Sequence, residues 1–430
     1  MSIADAASLL NANDILTVGR AGSGSLHASD FARVVSDSGV VGSSANSTGF
    51  VTVQEQASWR MSQDLTIAAS GVGTLTIADG GLVENATGRV TTNAGNGTVT
   101  VTGRNSLWLN RDDLILADPG SATLNIEDHG LVQVRNVVTN NLSGRIVMDD
   151  GNLSAASISN NGVIEGSGHI RGAIANQPTG SVRAGDPGDV LVLTSTFTND
   201  GSVDAIGGSI EFQSPVTNAE TASGIFSRDG ELRFRQGLTN NGKMGFTVGA
   251  ADVFGNVSNS ASGTIEVDGE GVVTFYDNVT STGTITVGAE SSAVMLGDLI
   301  LAAPASVAFT GLGVEPLPED RLSTADPLNV AGRLELDGSL DLVGSDDPMK
   351  LSEPTNSGDS IVLSLVTADE IIGTFDSVSY DGSLLSMDTL LDGGPSFRSY
   401  DDTSEQLGMF RTLAYTATSL DLTNLSLIHI

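Results

Sequence analysis

LTNNGKMGFTV, residues 238–248, joins an apolar strand end to a new apolar strand through an Asn-containing turn and a Gly. The same plan recurs across residues 140–284. Aligned on the Asn that opens each turn, the copies fall at Asn140, Asn160, Asn176, Asn199, Asn218, Asn240 and Asn259, with Ser281 of VTSTGTITV standing eighth. Successive differences in position are 20, 16, 23, 19, 22, 19 and 22. A unit of about 20 residues is too short for a propeller blade and suits one coil of a β-solenoid. In such a coil the chain lies at strand spacing on the coil below and sends alternate side chains inward. Asn suits the turn because its side chain bonds nearby backbone and it tolerates the left-handed region, while Gly reaches positive φ without steric cost.

Composition agrees with this plan. Gly makes up 52 of 430 residues and aromatics only 4%, and the apolar residues are chiefly Val, Ile, Leu and Ala, which suit strands in a narrow core. A solenoid also grows to this length without a thicker core. The formal net charge is −33, with only two lysines, Lys243 and Lys350, so no nucleic acid partner is expected, because phosphate backbones need clustered Lys and Arg. There is no cysteine and hence no disulfide. No apolar run of about 18 residues is present to form a transmembrane helix. The start, MSIADAASLLNANDIL, lacks a basic segment and a long apolar segment, and we expect the true beginning of the frame to lie upstream.

A longer repeat runs through residues 14–134. DILTVGRAGSGSL from Asp14, DLTIAASGVGTLTI from Asp64 and DLILADPGSATLNI from Asp113 line up, with starts 50 and then 49 positions apart. The last two continue to GGLV at Gly80 and HGLV at His129, and are preceded by SWRMSQ at Ser58 and SLWLNR at Ser106. Trp59 and Trp108 thus occupy matching places, which reads as core or inter-coil stacking rather than as a sugar platform.

The order S-x-W, D-L-x-I, G-x-L-x-I, G-G-x-V resembles the repeat of type V secreted (autotransporter) passengers and of PEP-CTERM-associated surface proteins. The first copy departs from it with SLHASDFARVV, as a degenerate or capping coil would. VRAGDPGDVLVLTSTFTNDGSV from Val182 is similar to another passenger element, and the strand-rich text from Leu334 through GTFDSV at Gly373 resembles the β region that closes such repeats. The resemblance implies export to the cell surface or the extracellular space. LSLIHI, residues 425–430, is similar to the translation of a transposon adaptor used in sequencing libraries, and is expected to be non-native.

Few residues promise chemistry. His27, His129, His169 and His429 are widely spaced and read as turn or surface residues. No nucleophile-elbow, dinucleotide, P-loop, HExxH or nonapeptide calcium pattern occurs. Asp186 and Asp189 of GDPGD sit on a tight loop set by Pro187 and Gly188, short of the six or more oxygens a calcium site uses. The carboxylate pairs Asp112 with Asp113 and Asp149 with Asp150 are consecutive, and in a strand would face opposite ways. Thr98, Thr100 and Thr102 share a strand face as in ice-binding solenoids, but Thr264 with Glu266, and Thr284 with Thr286, suggest a ladder that is not kept. Asn85 and Asn278 head glycosylation-type triplets that Asn-rich turns create by chance.

The expectation is an all-β chain, a right-handed parallel β-helix (β-solenoid) of about 14 coils with a C-terminal β-rich capping module. Residues 1–13 would form an N-terminal segment, 14–135 the repeats of about 50 residues, and 136–305 the coils of about 20 residues. An irregular Pro-containing linker would span 306–329, and the C-terminal module 330–424. Its function would be that of a secreted or surface-displayed scaffold or adhesin. We expect a monomer with no catalytic, cofactor or metal site, meeting an extracellular glycan or a host or neighbouring cell surface. The alternatives are a polysaccharide-active β-helix enzyme, needing converging carboxylates and basic residues from neighbouring coils, and a calcium-dependent binding module.

Overall fold

The computed structural model describes residues 1–288, 290–312, 327–344, 360–380, 383–384, 386–389, 395–400, 409–415 and 419–426. Every regular element among these is a β-strand. The chain divides into two compact units, residues 1–216 with 221–224, and residues 217–220 with 225–430.

In the first unit a coil is built from three short strands, as in Thr48–Val53, Ser58–Met61 and Leu65–Ile67, then Val72–Ile77, Leu82–Asn85 and Gly88–Val90. Coils pair in parallel, with Ser23 beside Thr48, Thr48 beside Val72, Val72 beside Asn96 and Asn96 beside Ser121. The step in residue number is therefore 24 or 25, and each long sequence repeat is two coils. Further on the coil tightens. Thr123 lies beside Arg145, Arg145 beside Val163 and Val163 beside Ser181, steps of 22, 18 and 18.

The doubling has a packing cause. One inward column reads Val34, Trp59, Val83, Trp108 and Val132, so a large ring alternates with a small side chain. Both indoles are fully buried. Each needs room, and Gly39 and Gly88 provide it: a Cβ on Gly39 would stand 2.6 Å from the Trp59 ring, and one on Gly88 2.9 Å from the Trp108 ring. Interiors are packed too tightly to admit both the ring and a side chain there. Gly39 and Gly88 are separated in sequence by the same interval as Trp59 and Trp108.

The repeated Asn residues form a second inward column. Val41, Ile67, Val90 and Leu116 begin it, and Asn140, Asn160, Asn176 and Asn199 continue it. Each of these Asn side chains is fully buried. Asn140 Nδ2 donates to Asn160 Oδ1 at 2.7 Å, Asn160 to Asn176 at 2.8 Å and Asn176 to Asn199 at 2.8 Å. The other amide proton goes to a backbone carbonyl, from Asn140 to Val163 O, Asn160 to Ser181 O and Asn176 to Ser202 O. In the second unit Asn218 donates to Asn240 and Asn240 to Asn259, each at 2.8 Å. Asn259 then donates to Ser281 Oγ at 3.0 Å, so the eighth copy keeps the column with a hydroxyl. Leu301 occupies the next rung.

This corrects the turn reading of Asn and Gly. None of these Asn has positive φ; they end strands and point inward. Nor do the Gly residues that follow them. A Cβ on Gly162 would lie 2.2 Å from Gly144 O, and one on Gly201 2.2 Å from Gly180 O. Gly is required because the coil below leaves no space.

In the second unit the parallel rungs run from Ile225 to Met244, Ile265, Ile285 and Val307, steps of 19, 21, 20 and 22. Ser306–Leu312 stacks on Thr284–Gly288, and Leu328–Leu336 pairs with Ser292–Met295 and Leu299–Leu301. Both ends of the expected linker 306–329 are thus solenoid strand, and 313–326 lie outside the described residues. Two longer steps follow, Val307 to Leu340 and Leu340 to Val378. The pattern then turns antiparallel. Ser360–Gly373 pairs with Ser419–Ser426, which pairs with Met409–Tyr415. Leu425 and Ser426 of the expected tail belong to that strand, and 427–430 lie outside the described residues.

Candidate functional site

Where the first unit tightens, its corner becomes notched. Successive connections on one edge are residues 117–119 after Leu114–Leu116, 141–143 after Val137–Asn140, 161–162 after Gly144–Asn160, and 177–180 after Val163–Asn176. The two-residue connection lies between connections of three and four residues, so the corner is uneven. The result is a recess of about 470 Å³ lined by Ala117, Asp118, Pro119, Gly120, Asn141, Leu142, Ser143, Asn161 and Thr179. That volume falls within the range of small-ligand sites.

The lining is mixed. Leu142, 69% exposed, and Pro119 are its larger apolar members. Two polar side chains are committed: Asn141 Nδ2 donates to Leu116 O at 3.1 Å, and Thr179 Oγ1 to Asn161 O at 2.9 Å. The side chains of Asp118, Ser143 and Asn161 make no hydrogen bond among the described residues. Asp118 is the one charged group in the lining. On the adjoining strands Arg145 and Arg183 both bond the carboxylate of Glu165, which is 8% exposed. One carboxylate thus holds two guanidinium groups, and neither Arg is part of the recess lining.

A second feature lies in the second unit. Phe254 and Tyr276 stack at 4.0 Å and 12°, and Arg235 lies over the Phe254 ring at 5.4 Å. Tyr276 Oη donates to Asp252 Oδ1 at 3.1 Å, which pushes the phenol pKa up. Arg235, Phe254 and Tyr276 each stand five residues before Asn240, Asn259 and Ser281, so the repeat aligns their positions although their side-chain types differ.

The residues singled out from sequence are dispersed. His27 sits on an outward rung beside Thr52, and His169 lies outward beside Asn152 and Val192. His129 has φ +64 in a turn, with Nε2 3.7 Å from Asp150 Oδ2. His429 and Lys350 lie outside the described residues, while Lys243 pairs with Glu266 at 3.0 Å. Asp189 Oδ2 accepts from the amides of Gly185 and Asp186, at 3.2 and 3.0 Å. That carboxylate holds its own loop.

Several expectations need correction. Asp149 and Asp150 do not face opposite ways: a register shift at this point and φ +59 at Asp150 leave both exposed. Asp112 and Asp113 lie at a bend between strands, where Asp113 Oδ1 accepts from Val137 N at 3.1 Å. Asp64, its match one repeat earlier, accepts likewise from Thr87 N at 3.1 Å. The Thr rows do persist locally, since Thr74 pairs with Thr98 and Thr98 with Thr123, and Thr52, Thr76 and Thr100 share the next column. Comparison with Thr264 and Thr284 missed this, because those coils belong to the other unit. Asn85 is no surface residue. It is buried, accepting from Trp108 Nε1 and donating to Asn110 Oδ1, both at 2.8 Å. Asn278 is exposed.

Electrostatics single out Glu127. Its carboxyl pKa is raised above the usual 4.5, first by partial burial, then by the charges of Asp149 and Asp128. No grouping of three or more His, Asp or Glu able to hold a metal ion occurs among the described residues.

No family model matches the chain, and no curated protein matches it. Among solved structures it aligns with a crystal structure of a TibC-catalyzed hyper-glycosylated TibA fragment, at 18% identity and a TM-score of 0.40. The alignment covers 70% of this chain and 93% of that one.

Proposed function

We propose that this chain is a secreted or surface-displayed scaffold, structural and adhesive, of the kind carried as passengers by autotransporters and PEP-CTERM-associated systems, and that it performs no catalysis. The observation that supports this reading is the Asn column, in which each buried amide bonds the next coil and leaves the strand ends fixed. Repetition of one interaction stiffens a stacked chain at small cost in sequence variety, and leaves the turns to meet a partner. The acidic surface keeps such a chain soluble and monomeric. The partner class is an extracellular glycan or a neighbouring cell surface.

The test is labelling of intact source cells with antibody raised against the folded chain, before and after external protease. Labelling that protease removes is the expected result; signal only after lysis would overturn the reading.

One observation favours the polysaccharide-active alternative. Partial burial and the charges of Asp149 and Asp128 raise the Glu127 carboxyl pKa, and a raised carboxyl beside other acidic groups is a feature that acid catalysis uses. Release of reducing ends from a polysaccharide by the native chain, abolished by Glu127→Gln, would replace the scaffold reading with this one.

A further inference from the structure

We propose that the recess at residues 117–120, 141–143, 161 and 179 binds a neutral sugar residue. Three features of the recess point to that chemistry. Its shape comes from the backbone, because the two-residue connection 161–162 lies between connections of three and four residues on the coils to either side. Its unengaged polar groups supply both halves of hydroxyl recognition: the Asn161 amide and the Ser143 hydroxyl donate and accept, and the Asp118 carboxylate accepts. Its apolar part, Leu142 and Pro119, offers a surface for the C–H face of a pyranose, and the Leu142 side chain stands open to solvent there.

Charge selects against other ligands of this size. An anion would meet Asp118 with no cation in the lining. An organic cation would find one carboxylate and no aromatic face. A neutral polyol offers the Asp118, Ser143 and Asn161 side chains hydrogen-bond partners and brings no charge of its own. The inference gives the adhesive reading a specific site, and rests on that reading only for where the sugar comes from.

The experiment uses the full chain on an array of immobilised neutral oligosaccharides, namely glucans, galactans and mannans, beside sulfated and uronate-containing ones. The double variant Leu142→Ala with Asn161→Ala is run in parallel, and Leu142→Glu serves as a second variant at an exposed position. The native chain is expected to be retained on at least one neutral sugar, with retention falling about tenfold or more in either variant while the melting temperature is unchanged. Retention on charged sugars alone, no retention at all, or undiminished retention in both folded variants would overturn the proposal. Cell adhesion separates the two readings. Equal adhesion by native and variant chains removes the recess and keeps the adhesive scaffold, whereas sugar binding by a chain that never reaches the surface keeps the recess and removes the scaffold.

Discussion

Asn160 donates its side-chain amide to the side-chain oxygen of Asn176 at 2.8 Å, across the step from one coil to the next, with both side chains fully buried. The bond is one link of a chain of amides that runs through Asn140, Asn160, Asn176 and Asn199. Such a link matters more by its absence than by its presence. A buried hydrogen bond contributes about 1 kcal/mol net, while each polar group left without a partner costs about 1–3 kcal/mol.

Asn176→Leu is therefore expected to destabilise its neighbourhood more than its volume change suggests, because the Asn160 amide and the Asn199 oxygen both lose a partner. The loss is about 1–3 kcal/mol for each orphaned group. Stacked coils need not unfold all at once, so hydrogen exchange at amides near residues 160, 176 and 199 is the suitable measurement. Protection unchanged at these positions would show that the column adds nothing to stability.

Trp108→Phe removes the Nε1 donor that Asn85 Oδ1 accepts, in a site closed to solvent. We expect a loss of about 1–3 kcal/mol in chemical denaturation. Both indoles are buried, so native emission should be blue-shifted and poorly quenched by acrylamide. Strong quenching of the native chain would contradict the packing of the Trp column.

Gly162→Ala places a methyl 2.2 Å from Gly144 O and 2.6 Å from Asn141 O, so the backbone must move. Overpacking of this kind costs about 1–3 kcal/mol. Gly185→Ala is the control, since a Cβ there meets nothing within 4 Å. Equal melting temperatures for the two variants would refute the close-approach account of the repeat Gly.

Glu127 gives a pH dependence of definite sign. Its folded pKa lies above the usual 4.5, through burial first and the Asp149 and Asp128 charges next. Between the unfolded and the raised folded value the folded chain binds the extra proton, so stability falls as pH rises through that window and the penalty persists above it. Glu127→Gln should thus melt higher than the native chain at about pH 7, with the difference vanishing at about pH 4. A difference that grows toward low pH would reverse the assignment.

Much of the fold was legible in the sequence because periodicity states it directly. The Asn spacing, the alternating apolar residues and the matched Trp59 and Trp108 announce stacked coils and a shared core position, and Ser281 was readable as the eighth copy from its flanks alone. The recess was not legible. Leu142 carries no motif and Asn161 reads only as the second Asn of a repeat turn, and only the stacking of neighbouring coils brings them together. The Arg145, Glu165 and Arg183 cluster was hidden for the same reason, since its members belong to three coils and stand at unequal intervals along the chain.

The sequence by itself determined that the chain is a parallel β-solenoid, because a side-chain pattern of period two, punctuated by turn residues at a nearly constant interval, leaves few other ways to bury its apolar face. Only the tertiary structure decided how residues of different coils meet. It made two coils of each long repeat, turned the Asn residues from turn formers into a buried ladder, and assigned the repeat Gly to close approach rather than to backbone freedom. The physical reason is that these are contacts between rungs. Coils of unequal length put a partner at no fixed distance along the first unit, so the register that creates each contact exists only once the coils are stacked.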